Sequence, residues 1–246
     1  MGVYDINGNS LLPAVSSGGA PISAIFTENH LIAHKGGNAG AANTIANFEA
    51  AISNGYKILE GDVRFTSDSV PVLSHDAAVS GYTIASYTYA ELIALVPTLA
   101  RLDDFLILCK ENNVVAELDF TKEYSTAQTE ICCNTVKSCG MLNRTMITAY
   151  ADTCRALIAL DPNVIVCVSG VSSTADVDRV SDIIAGARLC VCSTEYDRVT
   201  QALVNYMHSK GCLSKPWTVN STSTIETLFG YGADYIITDS VLPSAL

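Results

Sequence analysis

A chain of 246 residues, 49% hydrophobic and only 16% charged, carries ample material for a sizeable core and does not read as disordered. Its formal net charge of −11 argues against a nucleic-acid partner, because phosphate backbones demand clustered Lys and Arg. An anionic small substrate remains compatible with that charge, provided a bound cation or a few placed bases supply a local positive field.

Residues 1–28 read as an arm outside the main fold: Asn7-Gly8 is a tight-turn signal, and Ser16-Ser17-Gly18-Gly19 is a flexible linker. The rest, 29–246, reads as one domain. LIAHKG is the first strand, and ANTIANFEAAISNG is a helix whose Ile45, Phe48, Ala51 and Ile52 form one apolar stripe. YKILEGDVRF is the second strand, followed by an extended VPVLSHD. VPTLARLDDFLILCKENN is helical and VVAELDF is the third strand. A helix over 125–139, strand TMITAY and a helix around CRALIAL come next. VIVCVSG, ARLCVCS and PWTVN are further strands, with a helix over 197–209 between the last two. TSTIETLFGYG and ADYIITD are the final helix and strand.

Strand–helix alternation implies a parallel sheet, because parallel neighbours need a crossover. Eight such units, in a chain near the ~250 residues typical of the fold, predict a (β/α)8 barrel with its chemistry at the strand C-termini. An open doubly wound sheet is the alternative, but no G-x-G-x-x-G follows the first strand. No run of 18 apolar residues occurs, so no transmembrane segment is expected. The N-terminus lacks a basic stretch followed by an apolar one, so a cytoplasmic protein, or a piece of a larger one, is expected. The nine cysteines lack zinc spacing and are expected to be free, small core residues.

Polar residues gather where strands end. The first strand ends in His34-Lys35. Glu60 and Asp62 are two apart, so both point to one face, and Glu117 and Asp119 repeat the pattern in the third strand. His75 ends the extended piece, whereas His30 and His208 read as ordinary structural histidines. Buried carboxylates that converge in this way repel one another unless a cation joins them. Oxygen ligands without cysteine suit Mg²⁺ or Ca²⁺. Lys215 shares parity with Trp217; it either points inward to pair with Asp119 or lies solvated in the loop before its strand.

HKGG at 34–37, ANT at 42–44, LEGDVRFTSD at 59–68, SHD at 74–76, AELDF, PWTVN and ADYIITD stand in the order of the motifs of the glycerophosphodiester phosphodiesterases, and from Leu31 onward the chain resembles that family. The resemblance implies a single (β/α)8 barrel that hydrolyses glycerophosphodiesters to an alcohol and glycerol 3-phosphate. By it, His34 and His75 are the acid–base pair, and Glu60, Asp62 and Glu117 hold one divalent cation, Mg²⁺ or Ca²⁺. The substrate would meet Lys35, Asp119, Lys215 and Trp217. In the family an adjacent glycerol hydroxyl can attack first, giving a cyclic phosphate that water opens.

Two departures stand out. Lys35 replaces an arginine, so a bidentate phosphate fork becomes a point charge. Asp119 replaces the lysine of an E-x-K motif, which predicts weak activity on plain glycerophosphodiesters and a preference for cationic head groups such as choline or ethanolamine. Two other functions compete: a phospholipase D-like lipid phosphodiesterase that forms a cyclic phosphate, and a non-catalytic barrel module of a larger assembly. Glycoside hydrolysis gives the two histidines no role.

Overall fold

The computed structural model describes residues 30–122 and 124–246, so the arm assigned to 1–28 lies outside the described residues. Among the described residues eleven strands occur in chain order: β1 (Leu31–Ala33), β2 (Ile58–Phe65), β3 (Pro71–Leu73), β4 (Ala78–Val79), β5 (Tyr82–Thr83), β6 (Val115–Asp119), β7 (Thr145–Ala149), β8 (Ile165–Ser169), β9 (Leu189–Glu195), β10 (Leu213–Trp217) and β11 (Ile236–Thr238). Eight of them run parallel in the order β10-β9-β8-β7-β6-β2-β1-β11. The two ends meet: the Tyr235 N–H donates to the Ser214 carbonyl at 3.0 Å and the Val219 N–H to the Ile237 carbonyl at 2.8 Å. The expected eight-stranded barrel is therefore present, closed by a short seam between β10 and β11.

The helices lie outside. They are α1 (Ile45–Ser53), α2 (Tyr89–Leu95), α3 (Leu102–Glu111), α4 (Thr126–Ser138), α5 (Ala151–Leu160), α6 (Thr174–Arg179), α7 (Ser181–Gly186), α8 (Gln201–Ser209) and α9 (Thr222–Gly230). Thr44, Thr88, Ser125, Ser173, Thr200 and Ser221 stand at their N-caps, each accepting a backbone N–H from the first turn. These caps fix where six of the nine described helices start and hence where the loops before them end.

Strand parity divides the core in two. Ile32, Ile58, Val115, Met146, Ile165, Leu189, Leu213 and Tyr235 fill the lower lumen, one from each barrel strand or its immediate flank. Their neighbours, such as Leu59, Ala116, Leu118, Ile147, Val166 and Cys190, pack outward against the helices. Two residues further along several strands the lumen turns polar, at Glu60, Glu117, Thr148 and Lys215, all buried.

Several boundaries differ from the sequence reading. The stretch 96–113 is not one helix: α3 begins at Leu102, and residues 89–95 form a separate helix whose capping box joins Thr88 and Glu91. The small hairpin β4–β5 precedes it. Helices α6 and α7 escape the periodicity argument because each is only six residues long. Strand β10 starts at Leu213, three residues before PWTVN. Pro216 disguised it, since proline reads against a central strand; here the strand borders the irregular seam, where a missing N–H is tolerated. All nine cysteines are free, and only Cys139 is not fully buried. Among the described residues no helix is long and apolar enough to cross a membrane.

Candidate active site

A cavity of about 330 Å³ opens at the C-terminal ends of the barrel strands. His34, Lys35, Glu60, Asp62 and His75 line it, as do Glu117, Asp119, Lys215 and Trp217. Every residue assigned to the site in the sequence thus lines one chamber. A larger cavity of about 590 Å³ lies between α1, α2 and the 97–100 turn; none of the paired acids and histidines lines it, and its walls are mostly small or apolar side chains such as Ala41, Ile93 and Leu99.

The acids come from two adjacent strands. Register pairs Glu60 with Glu117 and, one layer higher, Asp62 with Asp119. Glu60, Asp62 and Asp119 each bring a carboxylate oxygen within 4.8 Å of the others. Glu60 accepts the Lys35 N–H at 2.7 Å, and Asp62 accepts the Asn43 amide at 2.8 Å while its own N–H returns to Asn43 Oδ1 at 3.0 Å. Asp119 Oδ1 accepts the Thr121 N–H at 2.8 Å and the Thr121 hydroxyl at 2.5 Å. Burial, and then the charges of Asp62, Glu117 and Asp119, push the Glu60 carboxyl well above the usual carboxylate range; only the Lys35 N–H opposes them. The group is short of positive charge.

Glu117 is placed differently from the other acids. Its Oε1 receives both the Lys215 ammonium and the Thr148 hydroxyl, the latter at 2.7 Å, and Lys215 also donates to Thr148 Oγ1 at 2.9 Å. Its Oε2 is buried without a hydrogen-bond partner among the described residues. Lys215 is fully buried within β10, so it points inward as one sequence reading had it and is not solvated in a loop, but its partner is Glu117, not Asp119. Burial works against its charge, but Cys167, Glu117 and Asp119 outweigh it and hold the ammonium protonated. The tight acid group therefore contains Asp119 where Glu117 was expected.

The first histidine sits on a turn that demands glycine. Lys35, Gly36 and Gly37 all have positive φ, at 55°, 83° and 78°. A Cβ on Gly36 would lie 2.8 Å from the Asn47 amide nitrogen and 3.0 Å from the Phe48 ring. Asn47 in turn donates to the carbonyls of Lys35 at 3.0 Å and Gly37 at 2.9 Å, so α1 holds the turn in place. His34 Nδ1 lies 2.7 Å from Asp239 Oδ1, leaving Nε2 to exchange a proton. Asp239 is itself fixed by Asn220, whose amide donates to Oδ2 at 2.7 Å. Burial opposes the Asp239 charge, but Asn220 and His34 hold its carboxyl below the usual range.

The second histidine is looser. His75 Nδ1 lies 2.8 Å from Asp76 Oδ1, and its side chain is 50% exposed. The Arg64 guanidinium donates to the His75 carbonyl at 2.6 Å and pins the loop rather than the ring. His30 and His208 both bond Asp234, at 2.7 Å and 2.8 Å, and neither lines the cavity, as their structural reading required.

Sequence reasoning passed over Asp239, Asn43, Asn220 and Thr148. The first three stand inside the quoted motifs, but the His34–Asp239 pair is 205 residues apart in sequence, and no local pattern couples them. Lys122 also lines the cavity and was not singled out.

Eight parallel strands around a filled lumen, with a polar chamber at their C-terminal ends, define the class: a TIM-barrel protein with an enzyme-like site. The sequence model of the Glycerophosphoryl diester phosphodiesterase family matches residues 34–242, and the chain belongs to that family. It is similar to Glycerophosphodiester phosphodiesterase 1 of Rattus norvegicus, 45% identical over 62 residues, which is 25% of this chain and 19% of the relative's length. The crystal structure of a glycerophosphodiester phosphodiesterase from Parabacteroides distasonis is 25% identical with a TM-score of 0.71, covering 86% of this chain and 92% of that one. A phosphodiesterase from Oleispira antarctica, solved with the product sn-glycerol-3-phosphate, superposes with a TM-score of 0.71 at 18% identity, covering 85% and 92% of the two chains.

Proposed function

We propose that this chain is a metal-dependent phosphodiester hydrolase acting on glycerophosphodiesters, releasing an alcohol and glycerol 3-phosphate. The observation that carries this reading is the convergence of both histidines and four carboxylates on one chamber at the barrel's C-terminal face. The carboxylates fit a hard divalent cation. They are oxygen donors without cysteine, their charge is uncompensated at Glu60, and Glu117 Oε2 is a buried oxygen without a partner. Glu60 and Asp62, with the carboxylates of β6, would hold Mg²⁺ or Ca²⁺. When bound, the ion supplies Lewis-acid polarisation of a phosphoryl oxygen and neutralises developing charge.

The remaining chemistry belongs to the histidines. His34, oriented through Nδ1 by Asp239, takes the proton from the attacking hydroxyl at Nε2. His75, half exposed, gives a proton to the oxygen of the departing alcohol. If the glycerol hydroxyl attacks, the product is a cyclic phosphate, and water then repeats the exchange with the roles reversed. Lys35 and Lys122 line the chamber as point charges for the phosphate. Lys215 is committed to Glu117 and Thr148, so the phosphate contact falls to Lys35 and Lys122.

A lipid-like diester is the second reading. Tyr150, 56% exposed, and Trp217, 37% exposed, both line the chamber and give its mouth an aromatic lip. The head-group preference inferred from Asp119 weakens, because that carboxylate lies with Glu60 and Asp62. The test is a panel of glycerophosphodiesters and lysophospholipids, with Mg²⁺ or Ca²⁺ and with EDTA, read by product identification. Glycerol 3-phosphate should appear from the glycerophosphodiesters and vanish with EDTA. Cyclic phosphate from lysolipids alone would favour the second reading, and no turnover of any diester would leave a binding module.

A further inference from the structure

Strand β6 lies directly across the lumen from β10, four places away in the order of eight. Asp119 stands on β6 where an E-x-K motif carries its lysine, and Lys215 brings an ammonium back from β10 to the deeper layer. This ammonium and the Thr148 hydroxyl occupy Glu117 Oε1, while Oε2 of the same chamber-lining residue is buried with no hydrogen-bond partner among the described residues. Asp119, whose hydrogen bonds among the described residues come from the neutral Thr121 N–H and hydroxyl, places an oxygen within 4.8 Å of Glu60 and Asp62.

We propose that Asp119 is a fourth carboxylate ligand of the cation site, and that Lys215 is the internal counter-charge that makes a fourth carboxylate tolerable. The inference rests on the metal-dependent reading above. Four carboxylates around one divalent ion carry an excess of negative charge that a low-dielectric lumen penalises. Lys215 removes part of it by binding Glu117 Oε1, while Oε2 of the same carboxylate has no hydrogen-bond partner among the described residues. The added ligand also sets the ion. Ca²⁺ accepts about six to eight oxygens in irregular arrangements, whereas Mg²⁺ demands a near-ideal octahedron and keeps several waters. A chamber offering four carboxylates favours Ca²⁺.

Isothermal titration of Ca²⁺ and Mg²⁺ into the EDTA-stripped, dialysed protein tests this, with thermal melts to confirm folding. The wild type is expected to bind one ion, Ca²⁺ more tightly than Mg²⁺. Asp119→Asn, which keeps the acceptor for Thr121, is expected to lose at least ~10-fold in Ca²⁺ affinity, about 1.4 kcal/mol, and less for Mg²⁺. Asp119→Ser serves if the first variant melts early. The double variant Asp119→Lys/Lys215→Met returns the lysine to β6 and is expected to bind while losing the Ca²⁺ preference. Unchanged Ca²⁺ affinity in a folded Asp119 variant overturns the proposal while the metal-dependent reading stands. Absence of binding by the wild type overturns the metal-dependent reading itself and this inference with it.

Discussion

In the lower lumen, Ile58, Val115, Met146 and Ile165 meet side chain to side chain, with no polar atom among them. In the upper lumen, two residues along three of the same strands, Glu60, Glu117 and Thr148 meet instead, joined by Lys215 from across the barrel. Parity and burial are the same in both layers, so geometry does not tell them apart; only residue chemistry does. The lower layer gains stability from every apolar group it hides, ~1.5–3 kcal/mol for a fully buried large side chain. The upper layer gives some of that back, since a buried ion pair scarcely repays its desolvation. The lower layer is where the fold is held, and the upper is where it is put to use.

That division can be broken at either end. The largest effect is expected from Glu60→Gln: it removes the most strained charge of the acid group and should abolish metal binding by calorimetry and reduce turnover to background. Unchanged affinity would take Glu60 out of the site. Next come His34→Ala and His75→Ala, each expected to lower kcat by at least ~100-fold while metal binding persists. Near-normal turnover in either would remove that ring from the proton transfers. In the lower layer Ile165→Ala should cost ~2–5 kcal/mol in denaturant unfolding, yet keep kcat per folded molecule. A loss of kcat there without loss of stability would mean that the layers are not separable. The smallest effect is expected from removing the first 26 residues: because every residue assigned to the chamber lies at or beyond His34, a chain starting near Thr27 should keep its kcat. Inactivity of that chain would tie the arm to the core.

Much of the upper layer could be read in advance because strand geometry is local. Glu60 and Asp62, two apart, must share a face, and so must Glu117 and Asp119. The strand count followed from the same regularity. What escaped was non-local or too short. Pro216 hid the true start of β10, and with it the burial of Lys215. The short helices α6 and α7 complete too little of a stripe to register. Which acid of β6 stands nearest to Glu60 and Asp62 depends on an ammonium almost 100 residues away in the chain, 98 by the Glu117–Lys215 separation. The Asp239 support of His34 likewise exists only once the last strand lies beside the first.

The barrel has seven regular ladders and one joint that is not a ladder. At that joint, β10 and β11 are fastened by a few bonds around Asp234, whose carboxylate takes the Ser214 N–H and the His208 ring, both at 2.8 Å. A hoop with one irregular joint is expected to flex there first. Its two lips carry unlike cargo: β10 bears Lys215 and Trp217, and β11 leads into Asp239. Breathing at this joint would alter the spacing between the Lys215 ammonium and Asp239, the anchor of His34, more than the β2–β6 pairing of the acids. Amide exchange should trace this compliance, with protons of β11 exchanging ahead of those on β6 and β7.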